Sequence, residues 1–290
     1  MSFQSELELP EFESGGDGKD VAIYFEKFIS NNSIKEIDLG HLFKIKKTEN
    51  EIYLSLNNID IIKISNGNEI IINPESDVDE SYLKVIILGS GMSYLLHQRR
   101  YLILHSSAVN INNYAVAFLG SNGVGKSTTA YFLYKKGYPL LSDDLLSLKI
   151  TNENEPKVNS GSKRIKLLPE SINHSQENLN TMTKTHKYSH KYSYYAKNNF
   201  SSVSLPLKRI YILEKSDKFD LKSLNPTESL LKLVEYSHNY KVFNAKERAE
   251  NLLHCSKVLE KVTVKHLKIE KSLHKISKLI KIIENDCFKI

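Results

Sequence analysis

At 290 residues with 40% hydrophobic side chains, the chain is long enough for one large or two modest packed domains. Its 40 Lys+Arg against 34 Asp+Glu give a net charge of +6 that is spread rather than blocked, which argues against a nucleic-acid partner. No apolar run approaches the ~20 residues that span a bilayer, and the longest, residues 82–96, is broken by Gly89 and Gly91. Cys255 and Cys287 lack any zinc-ligand spacing and suit a reducing cytoplasm, and the acidic start of the chain has no apolar signal core. A soluble, cytoplasmic protein without a membrane span is expected.

Residues 1–19 are polar, end in a glycine-rich run and read as a flexible tail. Residues 20–100 read as a small antiparallel β lobe followed by a helix. Residues 51–56 and 59–64 alternate apolar and polar side chains, and Asn66-Gly67 turns the chain into residues 69–72. Over residues 79–100, Leu83, Ile86, Ile87, Tyr94 and Leu95 fall on one broad helical face.

Residues 101–290 read as one α/β domain. Strands are expected at 101–109 and 114–119, a helix after Lys126 stopped by Gly137, and a further strand over 145–150. Residues 152–161 read as a loop, and 165–170 as an extended piece ending at Pro169. Residues 171–200, rich in Tyr, His and Lys at 186–195, show no period and read as a mobile surface loop. A strand at 207–213, helices starting near Thr227 and Asn244, and a short strand at 262–264 follow. The last helix is expected to carry Ile269, Leu273, Ile276, Ile280 and Ile283 on its core face, with lysines elsewhere; a basic helix lying on a membrane is the alternative.

The chemistry centres on residues 120–127, which fit G-x-x-x-x-G-K-[ST] between a strand and a helix. Glycines let such a loop turn its N–H groups inward, and the following helix N-terminus favours a polyphosphate. Gly120, Ser121, Asn122, Gly123, Val124, Gly125, Lys126, Ser127 and Thr128 are the expected nucleotide contacts. Lys126 would reach the terminal phosphates, and Ser127 would ligate the accompanying Mg²⁺. Asp143-Asp144 follow the apolar residues Leu140 and Leu141, at the edge of an open sheet where ligands sit. One carboxylate could hold Mg²⁺ and the other accept a proton; a turn or helix cap is the other reading. His105 ends an apolar run, where a histidine is commonly a satisfied edge residue, unless it reaches Asp143.

Leu104-His105, the glycine loop and the stretch from Lys135 to Asp144 together resemble the carboxy-terminal catalytic domain of HPr kinase/phosphorylase. The similarity covers roughly residues 105–150, with weaker echoes at 165–170 and 205–213. Within that family the chain looks more like the HPr-kinase-like kinases of lasso-peptide and related ribosomal peptide gene clusters. The resemblance implies a phosphate-loop domain of the HPr kinase and ATP-type phosphoenolpyruvate carboxykinase kind, with ATP as donor and a serine hydroxyl as acceptor. It makes Asp143 the general base, His105 the residue that orients it, Lys126 and Ser127 the phosphate and Mg²⁺ contacts, and Asp144 a second metal ligand. The acceptor would be a precursor peptide or small protein carrying a serine, and a homo-oligomer is compatible with it. The family's later glycine-rich signature with Glu and Arg is absent, and Glu170 is a weak substitute. A nucleotide-binding regulator without phosphotransfer, and a kinase of free serine or a sugar, are the alternatives.

Overall fold

Alternating isoleucines build the first sheet. The computed structural model describes residues 3–9, 20–30, 34, 36–40, 43–151 and 155–287. Contacts divide the chain into two units, Met1–Tyr101 and Leu102–Ile290. In the first, β1 (Phe3–Ser5), β2 (Val21–Phe25), β3 (Glu36–Gly40), β4 (Phe43–Lys47), β5 (Glu51–Leu56), β6 (Ile59–Ser65) and β7 (Glu69–Ile72) form one sheet in the order β1-β2-β7-β6-β5-β4-β3. Strands β3 to β7 pair antiparallel, whereas β2 joins β7, and β1 joins β2, in parallel. The two-residue turns at Asn57-Asn58 and Asn66-Gly67 have positive φ at both positions, as tight hairpins of this twist require. Ile52, Leu54, Ile62, Ile64, Ile70 and Ile72 are buried.

Two expectations change in this unit. Phe3–Ser5, read as part of the flexible tail, are an edge strand, because their partner Val21–Phe25 is too distant in sequence for any local pattern to reveal it. Most of the expected tail, residues 10–19, lies outside the described residues. The single helix expected over 79–100 is α1 (Glu80–Ile86) and α2 (Met92–Gln98), separated by a π turn at Ile87–Gly91. Gly89 and Gly91 are poor helix formers and sit in the widened turn.

The second unit contains β8 (Leu102–Ile111), β9 (Tyr114–Leu119), α3 (Lys126–Lys135), β10 (Leu140–Ser142), β11 (Leu145–Ile150), β12 (Pro156–Val158), β13 (Arg164–Leu167), α4 (Pro169–His174), β14 (Thr183–Lys184), β15 (Tyr192–Tyr195), β16 (Leu205–Ser216), β17 (Asp220–Ser223), α5 (Pro226–Glu235), α6 (Ala245–Leu259), β18 (Thr263–Glu270) and α7 (Ile276–Cys287). An eight-stranded sheet runs β10-β8-β11-β12-β16-β18-β17, with β9 bonded to both β8 and β16. Strands β9, β16 and β18 are mutually parallel, and β9 is apolar on both faces, as a strand covered on both sides must be. Val116 and Phe118 face Leu133 of α3 and Leu279, Ile280 and Ile283 of α7. Ala115, Ala117 and Leu119 face Leu233 of α5 and Cys255 and Val258 of α6. The unit is therefore a mixed α/β layer structure with helices on both faces. Among the described residues, no helix is long and apolar enough to cross a membrane.

The polar stretch 171–200, expected to be a mobile loop, is folded. It supplies the end of α4, a 3₁₀ turn at Leu179–Thr181, and strands β14 and β15, which form a small sheet in the order β13-β15-β14. Tyr194 packs edge-on against Tyr131 and Tyr134 of α3, at 5.0 and 5.8 Å between ring centres. Pro169, expected to end an extended piece, instead opens α4, where a proline costs no hydrogen bond. Pro156–Val158 add a strand within the expected loop 152–161. Ile269 belongs to β18, held by eight residues of parallel pairing with β16, so the last helix starts only at Ile276. Its apolar stripe is buried in the core of the unit, which removes the reading of a helix lying on a membrane.

Candidate active site

The glycine loop takes backbone conformations that glycine adopts freely and other residues avoid. Gly120 has φ 146°, and a Cβ there would come within 2.7 Å of the Leu213 carbonyl oxygen and 2.9 Å of Val124. Gly125, at φ 119°, turns the chain into α3. No side chain caps α3, so the N–H groups of its first turn face outward without a partner four residues back. Lys126 is buried, and its ammonium donates to the carbonyls of Gly120 at 2.8 Å and Ser121 at 3.2 Å. Burial lowers its pKa, against the opposing charge of Asp144. Ser121, Asn122 and Gly123 are exposed at the loop's tip, and Val124 is buried beneath it. Thr128 pairs with the Ser171 hydroxyl at 3.0 Å instead of standing open, and Glu170 lines a small cleft with Gly125 and Thr128. A larger cleft of about 240 Å³ borders residues 121–124 and is walled by Leu213, Lys215, Leu224, Lys232, Tyr236 and His266.

The acidic pair stands in a gap between two strands that share one neighbour. Strand β10 pairs with the second half of β8 and β11 with the first, and Ser142 facing Ala108 and Leu145 facing His105 keep one register. Between them the backbone leaves the ladder at Asp144, which adopts φ 72°. Asp143 therefore falls opposite Ser107, whose hydroxyl donates to Asp143 Oδ1 at 2.6 Å. The Lys166 N–H donates to Asp143 Oδ2 at 2.9 Å, and Ser127 is near enough to favour the charged form of the same carboxyl. Lys166 Nζ forms an ion pair with Asp144 Oδ2.

The two neighbours are driven in opposite directions. Burial, then the adjacent charge of Asp144, raise the Asp143 pKa, and the hydrogen bonds from Ser107 and Lys166, with the nearby Ser127, only partly oppose them. Burial would also raise Asp144, but the Lys166 ammonium outweighs it, helped by His105 and Lys191, and holds that carboxyl well below the usual range. Two carboxyls with diverging proton affinities are the arrangement in which one accepts a proton while the other stays charged.

His105 is brought into the same site, but not onto Asp143: among the described residues the two share no hydrogen bond. Its backbone N–H donates to the Tyr236 carbonyl at 3.0 Å, and its ring lies 6.3 Å from that of His238. Burial, reinforced by Lys126, lowers its pKa to about 4 despite the charge of Asp144. His105 is therefore neutral at physiological pH. The hydrogen bonds that fix Asp143 come instead from Ser107 and Lys166. Ser107 was legible in principle, two residues beyond His105 on the same strand face. Lys166, Lys191 and His238 had no local signal, since each reaches the site from an element remote in sequence.

No protein-family model matches the chain, and no curated protein matches it in sequence. Among solved structures, the HPr(Ser) kinase/phosphatase from Coxiella burnetii is similar at 11% identity and a TM-score of 0.35, over 64% of this chain and 97% of that chain. An overlap that loose assigns neither fold family nor function, so the chemistry has to come from the residues themselves.

Proposed function

We propose that the chain is an ATP-dependent kinase of the phosphate-loop type that phosphorylates a serine hydroxyl of a small protein or ribosomal precursor peptide. The observation that carries this reading is that Asp143, the carboxyl with raised proton affinity, stands close enough to the start of α3 to interact with Ser127 and Lys126. That closeness joins a polyphosphate-binding helix end to a base. The sequence resemblance to HPr kinase/phosphorylase and to the kinases of lasso-peptide clusters supports the choice of serine and of a peptide-sized acceptor.

The polyphosphate lies on the loop, with its charge against the N–H groups of α3 and the Lys126 ammonium. Ser127 and the neighbouring carboxylates offer only hard oxygen donors. No group of three or more His, Cys, Asp or Glu that could hold a metal unaided occurs among the described residues. That donor set suits a Mg²⁺ that arrives on the nucleotide and keeps phosphate and water ligands. Mg²⁺, when bound, offsets charge on the transferred group. Asp143 takes the proton of the acceptor hydroxyl, the hydroxyl oxygen forms the new bond to the γ-phosphorus, and the bond to the bridging oxygen breaks to leave ADP. Ser107 and the Lys166 N–H hold the Asp143 carboxyl in one orientation.

Incubation with Mg²⁺, γ-labelled ATP and peptide or small-protein fractions of the source cell tests the reading. Label on a serine of one fraction is expected. Tight ATP binding without label on any fraction would make the protein a nucleotide-binding regulator instead.

A further inference from the structure

One residue of the small sheet holds both acids. Within β13, Ile165 and Leu167 point into the core beside Tyr131 and Ile172, so alternation turns Lys166 to the opposite face, toward the site. Its N–H donates to Asp143 at 2.9 Å, while its ammonium pairs with Asp144. That pair is largely shielded, with the Lys166 side chain 14% and that of Asp144 31% exposed. The register of β13 on β15, Lys166 opposite Ser193 and Leu167 opposite Tyr192, fixes where this residue stands. Lys191, just before β15, adds a second positive field on Asp144.

A site that gathers two adjacent carboxylates and a triphosphate needs positive charge, and many phosphoryl-transfer sites supply it with a pair of metal ions. Here one side of the acidic pair already carries a compact point charge built into the chain. We propose that Lys166 is a positioning residue for the carboxylate pair and that its ammonium stands in for a second divalent cation, so that this site works with the single Mg²⁺ carried by its nucleotide. The inference rests on the kinase reading above, but its metal count does not depend on finding the acceptor.

The full-length chain is equilibrated with a non-hydrolysable ATP analogue and Mn²⁺, and bound Mn²⁺ is counted by electron paramagnetic resonance. One Mn²⁺ per chain is expected for the wild type and for Lys166→Arg, and two for Lys166→Met. Phosphotransfer by Lys166→Met should fall by about 10–100-fold, the usual effect of losing a partner just outside a metal site, and recover in part as Mg²⁺ is raised. Two Mn²⁺ in the wild type would overturn the inference and leave the kinase reading standing. So would a folded Lys166→Met that keeps one Mn²⁺ and gains nothing from added Mg²⁺. Failure of the analogue to bind would sink the nucleotide reading and the inference with it. A wild-type count of two would overturn the inference even if the variant does not fold.

Discussion

Asp60 in the first unit and Asp143 in the second are both shielded aspartates, treated in opposite ways. Burial alone would raise Asp60, but hydrogen bonds from Ser30 and Ser55 and the charge of Lys46 outweigh it, and its pKa is lowered. The Ser55 hydroxyl lies 2.6 Å from Asp60 and the Lys46 ammonium 3.7 Å away. Asp143 also accepts hydrogen bonds, yet among the described residues it forms no ion pair, and the charge that acts on it most is the like one on Asp144. The first arrangement stabilises a charge and with it the sheet. The second keeps a charge unneutralised, which costs stability and leaves a base.

The largest effect that would break this contrast is on turnover. Asp143→Asn should lower phosphotransfer by about 10²–10⁴-fold while nucleotide binding, measured by titration calorimetry, survives. An equal loss of both would reduce Asp143 to a structural role like that of Asp60. Next comes the backbone. Gly120→Ala drives a Cβ into the Leu213 carbonyl at a φ that L-residues avoid, so nucleotide affinity should collapse and melting temperature drop. Gly89→Ala, in the π turn of the first unit, meets nothing within 4 Å and should be neutral or stabilising by up to about 1 kcal/mol.

Stability against pH sharpens the contrast further. A lowered pKa contributes stability above the unfolded value that is lost as pH falls, so Asp60→Asn should cost about 1.5–3 kcal/mol near neutral pH and less in acid. A raised pKa works the other way, favouring the fold below the unfolded value and losing that contribution as pH rises through the folded one. Relative to the wild type, Asp143→Asn should therefore gain in melting temperature as pH rises from acid to neutral. Parallel slopes for the two variants would show that the two sites do not differ. The smallest effect belongs to the surface: Lys27 and Glu75, each 61% exposed, form a pair whose loss in Lys27→Ala should change stability by no more than about 0.5 kcal/mol.

Features carried by short stretches were legible without coordinates. The glycine loop, the hairpin turn at Asn66-Gly67 and the alternation of β5 and β6 are local, and so are the starts of α5 and α6. There Asn225 with Glu228, and Asn244 with Glu247, close reciprocal capping boxes. Asp143 and Asp144 could be marked as a pair from their place after an apolar strand. Nothing local could divide their roles, because that division comes from Ser107 and Lys166, 36 and 23 residues away from Asp143.

The sequence by itself determined the glycine loop and the helix start proposed to hold a polyphosphate, because glycine spacing and a helix start depend on neighbouring residues alone. Only the tertiary structure decided which acid keeps its proton affinity, what stands beside His105 and why residues 171–200 are ordered. Each of those depends on burial and on pairing between strands far apart in the chain, and adjacent residues carry no record of either.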